Sequence, residues 1–120
     1  KVLFEASVYI NLQRLPELYC GFNRRSSEGP TAYPVACSPQ AWSVAVVFML
    51  LQACFRIDIN APTKTIVFDK PRLPDFLKYV LIDNLVLDGE TCSLQMKRRK
   101  NDVSFNIMQK PKEWEVLIKK

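Results

Sequence analysis

Glu17 is the side chain whose surroundings point most clearly to chemistry. It follows Pro16 in the stretch Leu15-Pro16-Glu17-Leu18-Tyr19-Cys20-Gly21-Phe22, where apolar and aromatic neighbours would take a carboxylate partly out of water. Such a group either serves as a general acid or base or pairs with a guanidinium, here Arg14 or Arg24, and serves only the fold. The 120 residues contain no histidine. Ser-His-Asp and Cys-His nucleophile systems and His-ligated metal sites are therefore excluded, and acid–base work falls to carboxylates, Tyr, Cys and Lys. The carboxylates from Asp69 to Glu115 fall at turn or strand-end positions and read as solvated groups. Glu5 lies on the polar side of a first helix and Glu28 in the polar tip Arg24-Arg25-Ser26-Ser27-Glu28-Gly29.

Cys20, Cys37 and Cys54 are spaced 17 and 17 apart, with Cys92 far downstream. No close Cys pair is present to set tetrahedral zinc geometry, and four cysteines this dispersed do not make a disulfide scaffold. They read as free, buried thiols of a reducing cytoplasm. Three glycines are too few and too scattered for a phosphate-cradling loop. Neither metal nor cofactor is expected.

Charge narrows the partners. Residues 1–96 carry nine basic and nine acidic side chains, so the net +5 sits in residues 97–120, with Lys97, Arg98, Arg99 and Lys100 at its head. This run reads as a strand end and hairpin tip, a place where charge also discourages edge-to-edge sheet pairing. No nucleic acid is expected as a partner, and polyanion binding through the basic tail is the third-ranked function. No signal peptide is expected in the opening stretch, since Val2 to Gln13 is interrupted by charged and amide groups.

The elements that must position these groups change period midway. Phe4, Val8, Leu12 and Leu15 recur at helical spacing, and Pro16 closes that helix. Residues 16–38, punctuated by Pro16, Gly21, Gly29, Pro30 and Pro34, read as a long loop, rich enough in Tyr, Phe, Cys and Arg to be packed and functional. Ser38 as N-cap and Pro39 at the first helical position predict a second helix. Its run Ala41-Trp42-Ser43-Val44-Ala45-Val46-Val47-Phe48-Met49-Leu50-Leu51 is apolar on nearly every side, too short to cross a bilayer, and expected to be buried by neighbours in a larger domain. Trp42, in the first turn, is the residue on it best placed to face a cleft.

From Thr65 the period becomes two. Strands are expected at 65–68, 80–87 and 92–97, with Asp88-Gly89 as a hairpin turn and Asn101-Asp102 as another. Val103, Phe105 and Ile107 should then face inward, and Trp114, Val116 and Ile118 should repeat the pattern in a last strand. The fold class expected is α+β: an N-terminal helical hairpin over 1–59 with the long loop 16–38, then an antiparallel β-meander over 60–120.

Two blocks, Arg14-Leu15-Pro16-Glu17-Leu18-Tyr19-Cys20-Gly21-Phe22 and Tyr33-Pro34-Val35-Ala36-Cys37-Ser38-Pro39-Gln40-Ala41-Trp42, resemble the C-terminal end of the catalytic domain of amylo-α-1,6-glucosidase-like proteins. These are glycogen-debranching-enzyme-type glycoside hydrolases with an (α/α)6 barrel of six helical hairpins. With its flanking helices the resemblance spans about half the chain; residues 60–120 carry no strongly matching motif. It implies that residues 1–59 are the last hairpin of such a barrel and that the loop lies over a sugar pocket. It further implies inverting hydrolysis of α-glucosidic bonds in a glycogen-like glucan, with Glu17 as the general base and Arg14, Tyr19, Tyr33, Gln40 and Trp42 shaping the sugar site. The general acid would precede Lys1, so the 120 residues alone would be inactive. The partner is then an oligo- or polysaccharide, the location cytoplasmic, no membrane is involved, and an exposed barrel face would promote self-association. A non-catalytic carbohydrate- or protein-binding domain is the alternative.

Overall fold

The computed structural model describes residues 2–100 and 102–120. The fold is α+β, a short helical hairpin followed by small β-sheets, and the chain divides into two compact units, one up to Leu50 and one from Leu51 to Lys120.

In the first unit, helix α1 spans Val2–Ser7 and a single 3-10 turn spans Asn11–Gln13. The helix expected from Phe4 to Leu15 is therefore cut short. Ser7 turns its hydroxyl back onto the Phe4 carbonyl at 2.8 Å, a local bond that competes with helix continuation. The β-branched and aromatic run Val8-Tyr9-Ile10 gives little propensity to carry on, and Leu12 and Gln13 then adopt left-handed φ of 57° and 55°. Periodicity located the apolar residues but not the break.

Helix α2 spans Ala41–Phe55, and its last turn belongs to the second unit. It starts two residues after Pro39, so Ser38 and Pro39 are not its N-cap and first turn. Gln40 caps it instead. Its carbonyl accepts the Val44 N–H at 3.0 Å and its side-chain Oε1 accepts the Ala41 N–H at 3.0 Å. Within the described residues α2 is left largely uncovered. Phe55 is its one buried residue, while Trp42, Phe48 and Met49 are 64–69% exposed.

The second unit holds two three-stranded sheets, β1-β2-β6 and β3-β4-β5. Strands β1 (Ile57–Asn60) and β2 (Thr65–Asp69) pair antiparallel. The meander is β3 (Tyr79–Leu87), β4 (Glu90–Arg98) and β5 (Val103–Gln109), antiparallel throughout. Its first turn has both Asp88 and Gly89 at positive φ, 50° and 78°, the geometry that Asp-Gly supplies and that matches strand twist. A bulge between Ile82 and Leu85 places Asn84 in the left-handed region, where its N–H reaches Asp83 Oδ1 and Ser93 Oγ; Ser93, the buried polar side chain, donates to Asp83 at 2.6 Å. Of the second expected turn, Asn101 lies outside the described residues.

Strand β6 (Glu115–Lys119) leaves the meander and pairs parallel to β2, which corrects the expectation of a continuous antiparallel order. Pro111, with no N–H to offer, follows β5 and cannot extend a ladder against it. The chain turns from Pro111 to Trp114 and the Glu115 N–H bonds to the Lys64 carbonyl at 2.9 Å. Trp114 is buried, its indole N–H on Asp88 Oδ2 at 3.3 Å. The core of this unit joins Phe55, Ile66, Phe68, Leu87, Cys92, Leu94, Met96, Val103 and Trp114, with the Phe68 and Phe105 rings 4.7 Å apart. Ile107, expected inward, is 39% exposed, although it keeps the register of Val103 and Phe105 opposite β4; the register shift follows it, between Leu94↔Ile107 and Ser93↔Gln109.

Arg98 departs from the expected solvated basic tip. Its guanidinium bonds to Asp75 Oδ1 at 3.0 Å and to the carbonyls of Leu73, at 2.7 Å, and Pro74. It thus fixes the turn after β2 from the end of β4. The exposed side chain of neighbouring Arg99 meets Ser104 Oγ at 3.3 Å. Arg98→Ala should cost about 2 kcal/mol of urea-unfolding stability because part-buried carbonyls lose a charged donor, while Arg99→Ala should change it by less than about 0.5 kcal/mol. Equal effects would show that Arg98 is not the anchor.

Candidate functional site

The long loop is a stitched pair of extended segments. From its base upward, the Gln40 N–H bonds to the Leu15 carbonyl (3.1 Å), the Glu17 N–H to Cys37 O (2.9 Å), and the Cys20 N–H to Thr31 O (3.0 Å). Tyr19 and Ala32 form an antiparallel bridge, and the Cys20 thiol adds a 3.4 Å contact to the Ala32 carbonyl. Local sequence favours this course. Pro16 pushes Leu15 toward extended geometry, and Pro34 occupies the second position of a turn closed by the Ala36 N–H on the Tyr33 carbonyl at 3.0 Å.

Glu17 sits at the centre of the seam. Its carboxylate Oε2 accepts the Cys37 N–H at 3.3 Å, while its own N–H donates to the Cys37 carbonyl. Backbone and side chain of one residue therefore tie the two blocks together. Glu17 is half-buried. It pairs with neither arginine considered above, since Arg24 is held by Glu5 at 3.0 Å and among the described residues no ion pair involves Arg14.

The other expected site residues fall as follows. Arg14 is exposed at the end of the 3-10 turn, its N–H on the Asn11 carbonyl. Tyr19 is half-buried; its hydroxyl is shut off from solvent, without a hydrogen-bond partner among the described residues, and burial pushes the phenol's pKa up. Tyr33 is exposed at the loop turn. Gln40 is half-buried with its amide oxygen spent on the helix cap, and Trp42 stands exposed one residue into the helix. Hydrogen bonds bring Leu15 to Gln40 and Glu17 to Cys37; among the described residues none links Glu17 to Arg14, Tyr33 or Trp42.

Sequence reasoning did not anticipate the cavity of about 210 Å³ beside α1 and the loop tip. Val2, Ala6, Tyr9, Phe22 and Pro30 supply its apolar wall, and Glu5, Arg24, Arg25, Glu28 and Thr31 its polar rim. Gly29 makes it possible, because a Cβ there would lie 2.7 Å from Tyr9 Cβ. The available signal was the density of aromatic and charged residues in the loop. In the second unit a shallow groove on the β4–β5 face is lined by Gln95, Lys97, Arg99, Ser104, Phe105 and Asn106. Among the described residues no cluster of Cys, Asp and Glu is arranged to hold a metal ion, and no helix is long and apolar enough to cross a membrane.

No protein-family model, curated protein or solved structure matches the chain. The site must therefore be read from its own geometry.

Because a glutamine oxygen still accepts the Cys37 N–H and an alanine cannot, the two replacements of Glu17 separate. Glu17→Ala should lower the stability of the first unit by about 1–2 kcal/mol, and Glu17→Gln by clearly less. Urea unfolding followed by Trp42 fluorescence reads this. Two variants of equal stability would mean that the carboxylate does not clamp the loop.

Proposed function

We propose that this chain is the C-terminal portion of an inverting glycoside hydrolase acting on α-glucosidic bonds of a glycogen-like glucan, with Glu17 as general base. One observation carries the reading. The two sequence blocks that resemble debranching-type glycosidases are bonded into one seam, and the seam fixes a half-buried carboxylate. The Cys37 N–H engages Oε2 and holds the group in one orientation, as a base aimed at a water must be held. In the step proposed, Glu17 takes a proton from water, whose oxygen attacks the anomeric carbon. The glycosidic oxygen leaves with a proton from a second carboxyl on the opposite face of the sugar.

That second carboxyl is assigned to a part of the enzyme outside this chain. The first unit contains three carboxylates, Glu5, Glu17 and Glu28. Glu5 is bound to Arg24 at 3.0 Å and Glu28 to Arg25 at 2.9 Å, so both are committed to guanidinium partners at the loop tip, away from the Glu17–Cys37 seam. The 120 residues alone should therefore show no glucan hydrolysis. In the complete enzyme Glu17→Gln should reduce kcat by about 10²–10⁴-fold with little change in KM. A kcat within a few-fold of the parent would remove Glu17 from the chemistry and leave it a loop clamp. The chain would then read as a non-catalytic carbohydrate- or protein-binding domain, which the seam alone would also support.

The proposal includes a cytoplasmic location and an oligo- or polysaccharide partner. Binding of polyanions by the basic tail is disfavoured, because Arg98 is committed to the turn at Leu73–Asp75 and Lys120 to Asp102.

A further inference from the structure

We infer that the cavity beside α1 and the loop tip is a binding site for a single neutral, polyhydroxylated ring, a sugar unit, separate from the Glu17 position. None of Arg14, Glu17, Tyr19, Tyr33, Gln40 and Trp42 lines it. Its volume of about 210 Å³ is below the usual range for drug-sized ligands, about 300–1,000 Å³, and suits one six-membered ring with its substituents.

The lining decides the chemistry of the occupant. Tyr9 and Phe22 present aromatic surface, with Val2, Ala6 and Pro30 beside them. Such a wall takes an apolar ring face and excludes water from it. The rim carries two cations and two anions already joined in pairs, Arg24 to Glu5 at 3.0 Å and Arg25 to Glu28 at 2.9 Å. The named rim residues carry two positive and two negative charges, so their sum favours neither an anion nor a cation. A guanidinium has five N–H donors, so Arg24 and Arg25 retain donors after meeting their carboxylates. Arg25 also reaches Thr31 Oγ1 at 3.2 Å, which adds a hydroxyl to the same edge. An apolar floor with a neutral, donor- and acceptor-rich rim matches a ring with C–H faces and a girdle of hydroxyls. A fully apolar ring would leave the rim dehydrated, and a carboxylate or phosphate would compete with Glu5 and Glu28.

Two side chains give clean tests. Phe22 is 73% exposed, so its removal takes little from the fold. Gly29 lies so close to Tyr9 that an added methyl must shift one against the other and so reshape this side of the cavity. The full 120-residue chain should be titrated with maltose, and in parallel with glucuronate, by heteronuclear NMR. Maltose should saturate and move the amides of Phe22, Arg25 and Thr31, glucuronate should bind more weakly, and added salt should change the maltose affinity little. Phe22→Ala should weaken maltose by about tenfold or more, and Gly29→Ala likewise, with the amide spectrum of residues 51–120 unchanged. A folded chain that does not saturate with maltose, a glucuronate affinity that is higher and falls with salt, or an unaltered Phe22→Ala variant would each overturn the inference. The readout is binding to this chain and not turnover, so it stands or falls separately from the role of Glu17.

Discussion

The first unit depends on one constraint: two distant stretches of chain must satisfy each other's backbone. Residues 15–20 and 31–40 form neither helix nor extended ladder within themselves, so their N–H and C=O groups need partners elsewhere. The bonds at Leu15–Gln40, Glu17–Cys37 and Cys20–Thr31 provide them. Glu17 does so twice, by main chain and by carboxylate. Without that seam the loop would have the entropy of an unconstrained segment of more than 20 residues, and neither Glu17 nor the tip cavity would have a fixed shape.

The two units differ in how they are held. From Leu51 onward an apolar cluster is buried between β-strands, from Phe55 to Trp114, and polar exceptions such as Ser93 and Arg98 are bonded. Up to Leu50 the structure relies on hydrogen bonds and ion pairs, and leaves Phe4, Val8, Leu12, Phe22, Phe48 and Met49 largely exposed. Exposed apolar surface on this scale is where a further layer of structure would normally pack. That pattern agrees with the proposal that α2 belongs to a larger helical assembly.

The β-region was legible in the sequence where a single local rule governs. Alternation located β2 to β5, and Asp88-Gly89 located a turn that needs positive φ at both positions. Non-local facts were not legible. The parallel pairing of β6 with β2 follows from Pro111 and the burial of Trp114, and β1 is a four-residue strand defined by its partner. Helical spacing from Phe4 to Leu15 was misleading because it reports which residues are apolar and not where Ser7 turns back. At the site, a sequence reading singled out Glu17 as partly desolvated, and it is half-buried. The same reading offered an arginine partner, whereas the partner is the Cys37 N–H, which no sequence pattern announces. Pairing of Arg24 and Arg25 with Glu5 and Glu28 was equally hidden, because it joins α1 to the loop tip as well as neighbours within the tip.

Native-state amide hydrogen exchange on the full chain tests the seam most directly. The N–H groups of Glu17, Cys20, Cys37 and Gln40 should be protected and should open together with one common free energy, because each bond holds the others in register. The Ser26 and Ser27 amides, which donate no backbone bond among the described residues, should exchange freely. Exchange of those four amides at unprotected rates, or with four unrelated opening energies, would mean that the two blocks are not held as one unit, and the account of Glu17 would fall with it.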